Sequence, residues 1–203
     1  MQLILKHKIM KHIILMILAT FTILSCKAQS PILGYRTFKA SVPDGAYLKD
    51  LNNDLDKFTG TWKYTNGTTE LSVIIIKVEQ VFNGRYYIDR LKGNYIYMEN
   101  GVEIINTLSN DLYNDATITG VGLWDNNINK ISLEFDDPDK LRATYNLDLT
   151  FLSTGTFGVP ATMQWNLMQT GFYSSYVPGE TPPTTAELDQ TMRLPAEVIL
   201  EKQ

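Results

Sequence analysis

The amino-acid sequence predicts an all-β protein built from antiparallel strands. Apolar and polar side chains alternate in many segments, and the clearest, LRATYNLDLTF at 141–151, places six apolar residues on one face and five polar residues on the other. Such alternation is typical of an antiparallel sheet with one wet face. Asn-Gly pairs at 66–67 and 100–101 separate two pairs of such segments, and Asn-Gly favours the tight turn of a β-hairpin. Eight or nine strands at this spacing indicate a barrel or a sandwich.

A short helix is predicted before the strands. Leu48, Leu51, Leu55 and Phe58 recur three or four residues apart, which places them on one stripe of a helix. From Gly60 onward the apolar period changes to two, so the first strand should begin there. Strands are predicted at 61–65, 69–80, 93–98, 102–108, 116–124, 130–135, 141–151, 162–169 and 196–202, with a loop rich in Pro, Ser and Thr at 173–190.

Residues 1–25 have the layout of a signal peptide. Lys6, Lys8 and Lys11 precede the apolar run IILMILATFTIL at 13–24, and no acidic residue accompanies them. A membrane-spanning helix needs about 20 apolar residues to cross roughly 30 Å of hydrocarbon, so this run of twelve is too short to span. Met10 followed by Lys11 would serve equally well as a start, which leaves Met1 and Met10 as alternatives.

The end of the apolar run resembles the lipobox of bacterial lipoproteins. Ile23, Leu24 and Ser25 lead directly into Cys26, the single cysteine of the chain. The resemblance implies cleavage before Cys26 and acylation of that residue, and two or three acyl chains would hold the protein on a membrane. Residues 26–45 would then form a lipidated tether. Since Lys27 is not the Asp that signals inner-membrane retention, the resemblance further implies an outer-membrane anchor. The stretch KAQS at 27–30 lacks the acidic residues of a surface-export signal, which favours the periplasmic face.

The composition excludes most familiar catalytic and metal sites. His7 and His12 lie in the segment to be removed, and Cys26 would be acylated, so the mature domain has neither histidine nor free thiol. Ser-His-Asp and Cys-His catalysis, His or Cys zinc sites and disulfides are therefore excluded. Removing three lysines from a formal charge of −4 leaves −7, which gives no support for nucleic-acid binding. We expect a protein that is not an enzyme and has no cofactor.

Two acidic clusters have an ordinary structural interpretation beside a functional one. Asp50-x-Asn52-x-Asp54-x-Asp56 has the spacing of the first EF-hand ligands but lacks the Gly at position six and the Glu at position twelve, which favours a solvated helix face. The second cluster consists of Glu134, Asp136, Asp137 and Asp139. Its position favours a charged hairpin tip, with a calcium site or a carboxylate-based active site as alternatives.

The residues Phe58-Thr59-Gly60-Thr61-Trp62-Lys63 resemble the G-x-W opening of the lipocalins and the wider calycin group. The resemblance implies an up-and-down antiparallel β-barrel of about eight strands, in which Trp62 packs across the closed end. An Arg near the last strands would stack on that Trp, and Arg193 is the candidate. The stretches GAYLKDLNNDLDKFTGTWKY and LPAEVILEKQ are similar to a family of uncharacterised bacterial lipoproteins with a domain of unknown function. Residues 46–203 are accordingly predicted to form a single barrel domain with a short N-terminal helix.

Aromatic residues supply the candidate ligand site. All eleven tyrosines and three tryptophans follow Cys26, and an aromatic face with polar tips is a common lining for small-molecule pockets. The candidates are Trp62, Tyr95, Tyr97, Tyr145 and Trp165. The same side chains could instead face outward as a stacking platform or simply fill the core.

The function predicted from these observations is that of a membrane-anchored lipoprotein whose barrel binds a small apolar or amphipathic ligand without catalysis. The alternative is an envelope structural or protein-interaction lipoprotein with a filled barrel and no ligand. The sequence leaves the ligand's identity and the oligomeric state open.

Overall fold

Eleven β-strands make up the fold. The structure, a computed structural model, describes residues 30–124, 127–140, 143–172 and 191–203; the predicted signal peptide, Cys26 and the loop at 173–190 lie outside the described residues. The strands are β1 (Ile32–Gly34), β2 (Tyr47–Lys49), β3 (Gly60–Asn66), β4 (Thr69–Phe82), β5 (Tyr87–Glu99), β6 (Val102–Asn106), β7 (Ile118–Trp124), β8 (Asn127–Phe135), β9 (Ala143–Ser153), β10 (Thr162–Phe172) and β11 (Glu197–Lys202). Residues 32–203 form one compact unit.

Eight of these strands close into an antiparallel barrel, which confirms the predicted fold class. Neighbours around the barrel are β3, β4, β5, β7, β8, β9, β10 and β11, and each pair of neighbours is antiparallel. Closure comes from β11 pairing with β3, where Lys202 lies opposite Trp62 and Glu201 opposite Lys63. A closed barrel has no open sheet edge, so every barrel strand has a partner on both sides.

Three short segments share one edge of the long strand β5. Strand β2 pairs with its start in parallel, β7 pairs at Leu91–Gly93, and β6 pairs at Ile96–Glu99. Thr107 bridges the gap between β6 and β7: the Tyr95 amide donates to Thr107 Oγ1 at 2.9 Å, and the Thr107 amide donates to the Tyr95 carbonyl at 2.8 Å. The strands β6 and β7 therefore act as one barrel strand interrupted by the excursion at 107–117.

The barrel interior is filled by side chains that point inward from its strands. Along β9, Tyr145, Leu147 and Leu149 are buried, as the alternation predicts, and every barrel strand contributes buried residues to one core cluster. Gly93 is buried in β5, and a larger residue would not fit there without a shift because a Cβ atom would stand 2.7 Å from the Ile74 carbonyl oxygen. Complete burial of one Leu or Ile side chain contributes about 1.5–3 kcal/mol, so this cluster dominates the stability of the barrel.

The predicted N-terminal helix is wrong. Residues 47–49 form β2, Asn53 has a positive φ of 57°, and only a single 3₁₀ turn follows at Asp56–Phe58. The Asp50 carboxylate accepts the amides of Asp54 at 2.8 Å and Leu55 at 3.0 Å, so a side chain takes two donors that a continuing helix would have used. The stripe itself is broken, since Leu51 is exposed while Leu55 and Phe58 are buried.

The interpretation of the 50–56 motif as a solvated helix face is also wrong for its first member. Asp50 is buried, and its carboxylate closes the turn at 53–55 rather than pointing into water. Lys77 forms ion pairs with both Asp50 and Asp56. Burial opposes the charged form of Lys77, but the two carboxylates outweigh it and raise the pKa of the ammonium group.

A second buried carboxylate, Asp89, fastens the N-terminal segment to the barrel. Its oxygens accept the Tyr47 hydroxyl at 2.6 Å, the Asp50 amide at 2.8 Å and the Gln80 amide at 3.2 Å. Burial and the hydrogen bond to Asp89 raise the pKa of Tyr47, which keeps its hydroxyl a donor. One aspartate thus joins β2, the turn after it and the irregular region of β4.

We predict that Asp89→Asn lowers the free energy of unfolding by about 1–3 kcal/mol, since the amide group replaces an acceptor oxygen with a donor and leaves buried groups unpaired. Urea unfolding measures the loss. Hydrogen exchange should also accelerate at the amides of Asp50 and Gln80. Asp44 is an exposed aspartate that pairs with Arg85, so Asp44→Asn is the control and should change stability by less than about 1 kcal/mol. Equal losses for the two variants would contradict this role for Asp89.

Candidate functional site

The two ends of the barrel are each named here for one residue. At the Trp62 end, β3, β5, β8 and β10 begin and β4, β7, β9 and β11 finish. At the Asp137 end, β4, β7, β9 and β11 begin and β3, β5, β8 and β10 finish.

All five aromatic residues predicted to bind a ligand lie in the core. Trp62, Tyr95, Tyr97, Tyr145 and Trp165 are buried. The ring of Phe135 brings three of them together, with centroids 4.8 Å from Tyr95, 5.9 Å from Tyr145 and 5.7 Å from Trp165. Burial raises the pKa of Tyr95 far above its usual value, because a phenolate would be uncompensated there. Their contact with a ligand stays a prediction.

An open cleft of about 690 Å³ lies at the Trp62 end, and none of the five aromatic residues lines it. Three structural parts meet around it: the turn before β3, the start of β8 with the β9–β10 hairpin, and the end of β11. Its lining residues are Lys57, Asn129, Phe151, Leu152, Ser153, Thr154, Ala161 and Lys202.

Two lysines give this cleft its charge. Lys57 Nζ donates to the Ile128 carbonyl at 3.2 Å and to Asn129 Oδ1 at 3.0 Å, and Lys202 Nζ stands 5.4 Å from the centroid of the Trp62 ring. Among the described residues neither ammonium group forms an ion pair with a carboxylate. Two uncompensated positive charges in one cleft, on a chain whose formal charge is −4, favour an anionic group as occupant.

The floor of the cleft is held by packing around Trp62. The indole nitrogen donates to the Phe58 carbonyl at 2.9 Å, so the 3₁₀ turn and the first barrel strand are tied together. Phe151 meets Trp62 and Phe58 edge-on, with centroids 6.3 Å and 6.4 Å away. The Phe151 ring, which lines the cleft, is thus fixed by Trp62 and Phe58 and offers the cleft a rigid apolar surface.

Lys202, and not Arg193, lies over Trp62. The lipocalin resemblance implied a cation from the last strands at this position, and the final strand supplies it through its last residue, Lys202. Arg193 lies at the opposite end, where its guanidinium binds both oxygens of buried Asp137 and one oxygen of Asp139 at 2.6 Å. These carboxylates raise the pKa of Arg193 further above its usual value.

A family model now places the chain among known sequences. The model described as "Family of unknown function (DUF6705)" matches residues 10–203. The chain belongs to this family. No curated protein and no solved structure matches the chain.

In this DUF6705 member, two residues of the acidic cluster, Asp137 and Asp139, form ion pairs with Arg193. Asp137 is buried against Arg193, which links the β8–β9 turn to the segment before β11. Burial, together with the charge of Glu134, raises the pKa of Asp136. Within the described part of the chain, no group of three or more Asp, Glu, His or Cys side chains is placed to hold a metal ion. No helix found in that part is long and apolar enough to cross a membrane.

The sequence analysis did not identify Lys57 or Lys202 as residues of this cleft. Lys57 was hidden in the polar face of the predicted helix, and Lys202 is separated from it by 145 positions along the chain. Only the pairing of β11 with β3 brings Lys202 to Trp62. A G-x-W motif combined with a basic residue in the final strand was the one signal that could have found Lys202.

We predict that Gly60→Ala destabilises this DUF6705 member more than Gly84→Ala. Both glycines have a positive φ, 114° and 96°, so each alanine costs about 1–3 kcal/mol of backbone strain. A Cβ at Gly60 would also stand 2.9 Å from Lys202 Cε, whereas nothing lies within 4 Å at Gly84. Urea unfolding of the two variants measures the difference. Equal losses would contradict the prediction and show that the Lys202 side chain shifts away from position 60 without measurable cost.

Proposed function

We propose that this protein is a lipid-anchored, non-enzymatic envelope lipoprotein whose barrel binds a small amphipathic ligand with a negatively charged group in the cleft at the Trp62 end. The observation that carries the proposal is the cleft itself, which combines an apolar wall with two uncompensated ammonium groups. Its volume of about 690 Å³ lies within the range of small-molecule sites, roughly 300–1,000 Å³.

The lining of the cleft indicates the chemistry of the ligand. Lys57 and Lys202 suit a carboxylate or a phosphate, and the hydroxyl groups of Ser153 and Thr154 add hydrogen-bond donors. Phe151, Leu152 and Ala161 form the apolar part of the wall. An alkyl chain that ends in an anionic group complements both parts.

The location in the proposal rests on the N-terminal segment. Cys26 follows an apolar run of twelve residues and an Ile-Leu-Ser sequence, which resembles a lipobox. Acylation there would anchor the domain to a membrane, with Lys27 favouring the outer membrane and the lack of acidic residues in KAQS at 27–30 favouring its periplasmic face.

A relation to the lipocalins and calycins is part of the proposal. Its support is the 3₁₀ turn before G-x-W, the closed eight-stranded barrel, and the cation from the last strand over Trp62. The proposed ligand site nevertheless lies outside the barrel interior, because large aromatic side chains occupy the interior.

A second candidate function is that of an interaction lipoprotein with no small ligand. The filled interior favours it, since a barrel packed by Trp62, Trp165 and Tyr95 is a scaffold whose outer surface is free to bind another envelope protein. Failure of the cleft to bind any amphipathic anion would leave this candidate.

We predict that the protein binds dansyl-labelled undecanoate, and that it binds dansyl-labelled undecanol, the uncharged counterpart, more weakly. Fluorescence titration measures both affinities. The double variant Lys57→Gln, Lys202→Gln should lose about tenfold or more in affinity for the carboxylate, equivalent to about 1.4 kcal/mol.

The matched control is Lys92→Gln, Lys140→Gln, which removes the same charge from residues that do not line the cleft. This variant should keep the affinity of the unmodified protein for the carboxylate. Equal losses in the two double variants would show a general charge effect and contradict a site in the cleft.

The anchor is tested by intact mass spectrometry of the protein purified from the membranes of a bacterial host. We predict a mature chain that begins at Cys26 and carries the mass of two or three acyl chains. Cys26→Ser should abolish both the cleavage and the added mass. A mature chain with a free Cys26 thiol, or one that begins elsewhere, would contradict the lipoprotein assignment.

A further inference from the structure

Exposed apolar side chains are concentrated at one end of the barrel. Thirteen large hydrophobic residues are exposed in the described part of the chain, and four of them, Val102, Tyr113, Met168 and Ile199, lie away from the Trp62 end. The other nine lie in the connections, strand ends and N-terminal segments that form or cover the Trp62 end: Ile32, Phe38, Leu51, Phe82, Tyr87, Ile128, Leu152, Phe157 and Val159. Single exposed apolar residues are normal, but such an asymmetry marks an interaction surface.

The most exposed of these residues lie at turns. Phe157 is fully exposed in the β9–β10 connection, and Phe38 is more than three-quarters exposed in the β1–β2 connection. Phe82 and Tyr87 flank the β4–β5 turn, and their ring centroids lie 5.1 Å apart. Three separate connections therefore each present an aromatic ring at the same end of the barrel.

Basic residues accompany these rings. Arg85, which pairs with exposed Asp44, lies in the β4–β5 turn, Lys39 directly follows Phe38, and Lys57 and Lys202 line the cleft. Acidic residues predominate at the Asp137 end, where Lys140 and Arg193 stand against Glu99, Glu103, Asp111, Asp115 and Asp139. Aromatic rings with basic neighbours suit the headgroup layer of a membrane that contains anionic lipid, and an acidic end is repelled by it.

The length of chain before the barrel points to the same end. Five residues lie between Cys26 and Ile32, the first residue of β1, so the six steps of a fully extended chain span at most about 21 Å. Strands β1 and β2 extend the sheet beside Tyr87, at the start of β5 and hence at the Trp62 end. This step rests on the proposed acylation of Cys26.

We infer that the Trp62 end is a membrane-contact surface, with Phe38, Phe82 and Phe157 in the headgroup layer of the bilayer that holds the anchor. The barrel then stands on the membrane with its acidic end directed away. The cleft lined by Lys57 and Lys202 lies at the contacting end, so an amphipathic anion reaches it from the bilayer surface without crossing water.

The test exploits the single cysteine of the chain. In the acylated protein Cys26 is blocked, so a cysteine introduced by Phe157→Cys or Phe38→Cys is the one thiol that takes a nitrobenzoxadiazole label. Val102→Cys, at an exposed position of the Asp137 end, is the matched control. Each labelled full-length protein is reconstituted into vesicles of phosphatidylethanolamine and phosphatidylglycerol that carry a nitroxide quencher on the headgroup. The parent protein, which has no introduced cysteine, is treated with the same reagent to show that Cys26 takes no label.

We expect the label at positions 157 and 38 to be quenched at least threefold more strongly than the label at position 102, with emission shifted to the blue. Equal quenching at both ends, in protein that floats with the vesicles, would overturn the membrane-contact surface and leave the anchor intact. Protein that does not float, or whose Cys26 takes the label, would overturn the anchor and the inference that rests on it.

Discussion

Pairing of the first barrel strand with the last is the constraint on which the rest of the structure depends. Trp62 lies opposite Lys202 across the β3–β11 seam, so two residues 140 positions apart in the chain share one short stretch of sheet. Closure encloses the inward side chains and leaves no free edge on the barrel strands. It also places a terminal lysine over the indole ring and thereby assembles the cleft. The core and the candidate site thus depend on one strand pairing.

Large aromatic side chains determine what the enclosed space can do. Phe135 connects Tyr95, Tyr145 and Trp165 in one half of the barrel, while Phe151 connects Phe58 and Trp62 in the other. Side chains interdigitated in this way leave few voids larger than a water molecule. The proposed binding site therefore lies at one end. The two ends are unequal: in the described part of the chain, one carries exposed aromatic rings and two lysines without a carboxylate partner, and the other carries an arginine held by Asp137 and Asp139.

Much of the barrel was predictable because alternation with period two is a local property of each strand. The run at 141–151 and the two Asn-Gly turns correspond to β9 and to the β3–β4 and β5–β6 connections. The helix prediction failed at Asp50, since a leucine stripe does not reveal that a carboxylate will take the amides of Asp54 and Leu55. The cleft could not be predicted for a different reason. Lys57 and Lys202 line it together because β11 pairs with β3, and a single sequence does not reveal such a long-range strand register. The number of aromatic residues also does not indicate whether their side chains line a pocket or pack in the core.

The central claim is that an amphipathic anion binds at the Trp62 end and not inside the barrel. A crystal structure of the protein with decanoate tests it most directly. The account predicts electron density for the carboxylate between Lys57 and Lys202, with the alkyl chain along Phe151 and Leu152, and an interior unchanged from the unliganded protein. Density for decanoate among Tyr95, Tyr145 and Trp165, with those rings displaced to admit it, would contradict the account.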